Sequence, residues 1–218
     1  NEYRGSGGPI HISDVSGQLH PLCHNYLEAG KQAGLPFNPD FNGAAQEGVG
    51  LYQINTRKGR RHSASAAFLR PAMKRPNLEV RTGVHVTRLV LEGRRVTGVE
   101  YIERGQPRIL RVGREVILSG GAVNSPQLLQ LSGIGDPKTL KDLGIAVSHE
   151  NPNVGQHMQD HIGLNYTYRA RRKTLNNILR PMLGKLGVGV EYLLRGTGPL
   201  SLSLNQGGGF FRTRPELN

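Results

Sequence analysis

The stretch Glu115-Val116-Ile117-Leu118-Ser119-Gly120-Gly121-Ala122-Val123-Asn124-Ser125-Pro126-Gln127-Leu128-Leu129-Gln130-Leu131-Ser132-Gly133-Ile134-Gly135 decides how this chain reads. Glu115 to Leu118 is a short, nearly continuous apolar run, the pattern of a strand covered on both faces in a parallel sheet. It ends in Ser119-Gly120-Gly121. Ser125 is a good N-cap and Pro126 a good first helical residue, so a helix is expected from there, with Leu128, Leu129 and Leu131 inside it. Strand, glycine pair and helix start together bring backbone close to a phosphate or a flat ring. Glycines remove the Cβ atoms that would collide, and the helix start offers unpaired N–H groups. Such glycines also serve plain strand–helix packing, so turn chemistry alone leaves both readings open.

Upstream, hydrophobic alternation predicts consecutive antiparallel strands. Leu78 to Arg81 opens a strand ending at Thr82-Gly83, and Val84, Val86 and Leu89 to Leu91 form the next. Glu92-Gly93-Arg94-Arg95 turns, Val96, Val99, Tyr101 and Ile102 run outward, Arg104-Gly105-Gln106-Pro107 turns back, and Ile109 to Val112 returns. This is a β-meander. Further upstream, Ile10 to Ser13 reads as a short strand and Asp14 to Gly17 as a loop. A helix is expected from Pro21 to Ala33, with Gly34 just past its end. Pro36 to Gly48 is loop-like, Val49 to Thr56 a strand, and Ser63 to Leu69 a short helix closed by Pro71. Downstream, helices are expected over Lys138 to Leu143 and Pro181 to Leu194, and strands near Ile162 to Arg169.

The composition bounds the classes. The chain has 218 residues, enough to bury a core, and contains 30 Gly and 13 Pro without any low-complexity tract. No apolar run reaches the roughly eighteen residues of a membrane span. Cys23 is the single cysteine, which excludes an internal disulfide and multi-cysteine metal sites; it reads as a small hydrophobe in the helix. A reducing, cytoplasmic setting is the expectation. The net charge of +12 raises nucleic acid as a partner. Yet the basic clusters Arg57 to Arg61 and Arg169 to Lys173 lack interleaved aromatics, and no zinc-finger, RRM or basic-zipper pattern occurs, so no specific nucleic-acid partner is expected. Asn1 to Gly5 holds neither a signal sequence nor an initiator Met and reads as the interior of a longer chain.

The string from Gly121 to Gly135 resembles the second sequence signature of the glucose–methanol–choline (GMC) oxidoreductases. Arg57-Lys58-Gly59-Arg60-Arg61 with Ser63 and Ala67-Phe68-Leu69 is similar to the family's segment before the meander. Val154-Gly155-Gln156-His157-Met158-Gln159-Asp160-His161 is similar to its Val-Gly-x-Asn-Leu-x-Asp-His stretch, with His157 where Asn is usual. Gly5-Ser6-Gly7-Gly8-Pro9 is similar to the start of the first substrate-domain strand. The likeness runs through the whole chain and is nearest the choline-dehydrogenase-like branch.

That resemblance implies a mixed α/β fold: part of an FAD-binding αβ domain carrying the meander, and parts of an antiparallel-sheet substrate domain. Residues 1–61 and 161–218 would belong to the substrate domain and its connecting loop, and residues 62–160 to the FAD domain. Val86 would meet the adenine through backbone N–H and C=O, a readout any strand residue can provide. Ser119, Gly120 and Gly121 would lie against the adenosine half of FAD, or serve packing only. In the whole enzyme hydride would pass from an alcohol to the flavin. No Gly-x-Gly-x-x-Gly fingerprint for the pyrophosphate is present. The family's catalytic His falls in a segment beyond Asn218, so no catalytic residue is assigned here. The chain alone is expected to be inactive, to bind FAD weakly or not at all, and to self-associate through sheet edges. A non-catalytic basic module binding a nucleotide or an acidic partner is the alternative.

Two histidine groupings complete the candidates. His20 and His24 have the i, i+4 spacing that can bind zinc, but lack a third ligand, so no metal site is assigned. Asp160-His161 could form an acid–base pair; the resemblance implies an architectural role near the flavin instead.

Overall fold

The structure is a computed structural model describing residues 2–214 and 216. Along the chain it runs α1 (Leu22–Gln32), β1 (Gly48–Leu51), β2 (Thr56–Arg57), β3 (Arg60–Arg61), a π-helical segment (Ser65–Leu69) and α2 (Arg70–Ala72). Then follow β4 (Val84–Glu92), β5 (Arg95–Glu103), β6 (Gln106–Arg111), α3 (Gly121–Leu131), β7 (Ile134–Gly135), α4 (Pro137–Asp142) and β8 (His149–Glu150). The last elements are α5 (Leu175–Leu179), α6 (Met182–Arg195) and β9 (Gly207–Phe210). They fall into two compact units, one built from residues 1–79 and 167–218, the other from residues 80–166.

In the first unit β1 and β9 form an antiparallel ribbon pairing Gly48 with Phe210 and Leu51 with Gly207. The helix α1 lies on it where Gly30 meets Val49. A Cβ on Gly30 would fall 2.5 Å from Val49 Cγ1, so only glycine permits this approach. The helix ends as its sequence predicts, with Gly34 at φ +85 past the last turn. Buried Asn38 organises the loop before β1: its amide donates to the carbonyls of Ala45 and Glu47, and its Oδ1 accepts the Asp40 N–H. The cluster Arg57 to Arg61 is the hairpin β2–β3. Its turn residues Lys58 and Gly59 both have positive φ, 52° and 70°, the geometry of a type I′ turn.

Three expectations in this unit are corrected. Ile10 to Ser13 makes no strand; only Ser13 bridges, to Ile54. The strand expected over Val49 to Thr56 breaks after Leu51, and Thr56 pairs locally with Arg61 instead. Pro71 does not close the helix at Leu69 but sits inside its continuation, α2. The preceding turn is widened: Arg70 N–H reaches back to the Ser65 carbonyl. Proline has no N–H to lose there, and widening relieves the clash between its ring and the carbonyl four residues earlier.

The second unit is the meander β4–β5–β6 with α3 and α4 attached. The two turns are tight, with Glu92 opposite Arg95 and Glu103 opposite Gln106. Leu89 and Tyr101 are the buried hydrophobic side chains of the meander, and buried Gly98 passes under the Leu110 carbonyl, 2.7 Å from where a Cβ would stand. Asp136 caps α4 by accepting the Thr139 N–H at 2.8 Å, and fully buried Leu140 anchors that helix. The bonds from Thr139 hold the Asp136 carboxyl below its usual pKa.

Here too the expectations need correction. Leu78 to Arg81, Glu115 to Leu118 and the 162–169 stretch are not strands: none pairs with a strand among the described residues. Periodicity reports which faces are apolar, whereas a strand exists only where another backbone accepts its hydrogen bonds. α3 begins at Gly121, four residues ahead of the expected start, so Ser125 and Pro126 lie inside it. Pro126, the sixth residue of α3, therefore sits in the helix interior, where it removes the N–H that would donate to the Ala122 carbonyl.

Candidate functional site: an uncharged cavity between the meander and α3

Ser119-Gly120-Gly121 turns the chain from the extended segment into α3. The two glycines are needed for different reasons. Gly121 has open space around it but stands at φ +84, a conformation that strains any L side chain. Gly120 has an ordinary φ of −79° but little room: a Cβ would lie 3.2 Å from Asn124 Cβ and 3.3 Å from Ser125 Oγ. Ser125 Oγ in turn accepts the Gly120 N–H at 2.9 Å, which fixes the turn.

Ser132, 5% exposed at the end of α3, ties this helix to the sheet. Its Oγ accepts the N–H of buried Leu89 at 2.8 Å and donates to the Leu128 carbonyl at 2.6 Å. β4 is an edge of the sheet, so its outward backbone groups need such partners or stay free for a ligand. The ladder shifts register between Val86 and Arg88, a bulge of the sort that re-aims groups beside sites. Arg88 holds Glu100 next to it with bonds of 2.6 and 3.1 Å. The arginine's hydrogen bonds keep the Glu100 carboxyl below its usual range.

Between these elements lies a cavity of about 610 Å³. Val84, Val86 and Val99 wall it from the sheet, Val116 to Gly120 from the extended segment, and Asn124, Ser125, Gln127, Leu128 and Leu131 from α3; His85 completes the lining. Val86, Ser119 and Gly120, expected from the sequence to meet one ligand, are brought together here. Gly121 does not line the cavity and instead sets the turn behind it. Asn124 and Gln127 were missed. Their spacing with Leu128 and Leu131 would have put them on one face of a helix begun at Gly121, and the start placed at Ser125 hid it.

The lining suits half of a dinucleotide. Valine and leucine walls with a few amide and hydroxyl tips fit a flat, neutral heterocycle and its sugar. No Lys, Arg, Asp or Glu lines the cavity, so it offers a diphosphate no charged side chain.

The remaining candidates lie elsewhere. His20 precedes α1, so the i, i+4 pair with His24 does not form on the helix; its N–H donates to Gln206 Oε1 at 3.1 Å. Cys23 is half-buried, and its Sγ donates to the same oxygen at 3.2 Å. Burial pushes that thiol's pKa up, the reverse of a reactive cysteine. In the other unit Asp160 accepts the backbone N–H of His161 at 2.7 Å, both exposed. His157 stands at φ 57, where Asn, Asp and His are the residues best tolerated after glycine; this accounts for an Asn-to-His exchange at the motif position.

A meander joined to a strand-like segment, a glycine turn and a helix thus encloses a neutral slot suited to part of a nucleotide cofactor. The chain belongs to the GMC oxidoreductase family, whose model matches residues 2–163. It is 44% identical over 219 aligned residues to mouse mitochondrial choline dehydrogenase, covering 100% of this chain and 36% of that protein. An alcohol dehydrogenase [acceptor] of Pseudomonas putida is 39% identical, with 99% and 40% covered. An Aspergillus oryzae formate oxidase superimposes with a TM-score of 0.86 at 29% identity, over 95% of this chain and 37% of the oxidase. The chain thus spans well under half the length of these relatives. FAD is the cofactor of the family.

Proposed function

We propose that this chain supplies the adenosine-holding wall, and part of the substrate domain, of an FAD-dependent oxidoreductase acting on the CH–OH group of an alcohol of the choline type. The observation carrying this reading is the uncharged cavity lined by Val86, Ser119 and Gly120. FAD, when bound, supplies the hydride-accepting chemistry that no side chain has. The protein's own contribution is orientation. The β4 edge offers backbone groups to the adenine, the Gly120 turn lets the sugar approach, and the valines and leucines exclude water from the ring.

Because no cation lines the cavity, the chain alone is expected to bind adenosine and FAD with similar, weak affinity. A diphosphate held by charge-assisted bonds would add roughly 1.5–3 kcal/mol per bond, a tenfold or greater gain each. Calorimetric titration with adenosine, ADP and FAD tests the reading, with Gly120→Val as the blocking variant. Comparable weak binding of all three, lost in the variant, is expected. Submicromolar, stoichiometric FAD binding would mean that this chain forms a complete flavin site. Nucleotide binding untouched by Gly120→Val would move the ligand out of this cavity.

A further inference from the structure

In the unit of residues 1–79 and 167–218 lies another hollow, of about 430 Å³, between the start of α1, the start of α5 and the segment entering β9. Leu22, Tyr26, Leu175 and Leu204 give it an apolar wall, and His20 and Gln206 are its polar tips. No Lys, Arg, Asp or Glu lines it among the described residues.

The Gln206 amide can face only one way. Its Oε1 accepts the His20 backbone N–H at 3.1 Å and the Cys23 thiol at 3.2 Å. A backbone N–H only donates, so turning the amide over would set its NH2 against that N–H. The free end of the side chain is therefore Nε2, from which no protein group accepts among the described residues. It is open rather than sealed in, because no buried side-chain nitrogen or oxygen lacks a partner among those residues. The His20 ring is set in the same sense: Nδ1 accepts the Leu22 N–H at 3.2 Å, which puts the neutral ring's proton on Nε2. Amide and imidazole both end in donors.

Donors call for an acceptor. A neutral ether or carbonyl oxygen completes Gln206 Nε2, whereas a quaternary ammonium has no acceptor and sets its charge against the positive end of the N–H bonds. No carboxylate in the lining offsets that charge. Tyr26 offers one phenol ring, short of the several that build an aromatic cage for such a cation. We propose that this hollow receives the non-reacting end of the alcohol and selects a neutral end bearing an ether or carbonyl oxygen over a quaternary ammonium, with Gln206 setting the preference. The inference rests on the alcohol-oxidising reading above and narrows it to alcohols of choline's size without its charge.

Titration of the whole FAD-loaded protein by ligand-observed NMR, with no electron acceptor present, tests it with three alcohols of similar size. They are choline, its carbon analogue neohexyl alcohol, and ethylene glycol mono-tert-butyl ether. The ether is expected to bind at least about tenfold tighter than choline, with the carbon analogue between them, since one neutral hydrogen bond is worth up to about tenfold. Gln206→Glu keeps an acceptor for His20 and Cys23 but exchanges the free donor for a carboxylate oxygen, so it should reverse the order of choline and the ether. Choline binding as tightly as the ether in the parent, or an order unchanged in Gln206→Glu, would overturn the proposal. If the variant does not fold, the order in the parent decides alone. If the selectivity holds while none of the three reduces the flavin, the hollow's preference stands and the reaction assigned above falls.

Discussion

Replacing Ser132 by alanine is the sharpest perturbation of the link between α3 and the meander. Ser132 Oγ is the acceptor for the Leu89 N–H at 2.8 Å, on a residue only 4% exposed, so alanine leaves a buried backbone donor without a partner. Such a donor costs about 1–3 kcal/mol. The lost bond to the Leu128 carbonyl adds little, because that carbonyl also accepts the Ser132 N–H at 3.1 Å. A destabilisation near 2 kcal/mol is expected for the 80–166 unit. With a urea slope of about 1–2 kcal/mol/M, its midpoint falls by roughly 1–2 M. Hydrogen exchange at the Leu89 amide gives the direct reading: protected in the parent, at least about tenfold faster in Ser132→Ala, with neighbouring β5 amides changed less. An unchanged midpoint together with a still-protected Leu89 amide would refute the reasoning, since some other acceptor would then hold that edge.

Gly121→Ala should lower thermal stability by about 1–2 kcal/mol through the forbidden φ alone, since nothing lies near the added methyl. Leu140→Ala empties a fully buried position and should cost about 2–5 kcal/mol in urea denaturation. Glu100 titrates lower in the folded chain than in the unfolded one. The Arg88–Glu100 pair therefore adds stability above the ordinary carboxylate value of 4.5 and loses it as pH falls through the lowered one. Arg88 is 55% exposed, so the effect is below about 1 kcal/mol; melting curves from pH 6 to 3 should be less acid-sensitive in Glu100→Gln. His157→Asn, at φ 57, should match or slightly exceed the parent in melting temperature.

Local signals were read well where local chemistry decides. The meander follows from alternation and tight turns, and α1 from a proline at one end and a positive-φ glycine at the other. Expectations failed where an element depends on a neighbour. Glu115 to Leu118 has the apolar run of a buried strand, yet Ile117 is 78% exposed and the run pairs with no strand among the described residues. β9 went unread because Gly207-Gly208-Gly209 has no alternation to show; it forms because β1 offers a ladder. Of the site, the glycine turn and Val86 were legible from the resemblance. Asn124 and Gln127 were hidden by a helix start misplaced by four residues.

The ribbon between β1 and β9 has a bearing on how the chain reaches this structure. Gly48 and Phe210 are partners 162 residues apart, and 87 of the intervening residues belong to the 80–166 unit. That unit is continuous in sequence and built on neighbouring strands, so it can form early on the ribosome. The surrounding unit must wait for Gly207 to Phe210 to be synthesised, and until then α1 and β1 lack their second layer. If the inner unit folds first and acts as a short link, the loop to be closed shrinks to about 75 residues, easing closure by only about 0.7 kcal/mol. The larger effect is on timing. Until Phe210 is made, α1 and β1 are the vulnerable elements, and a chaperone that holds exposed α1 should delay misassembly without slowing the meander.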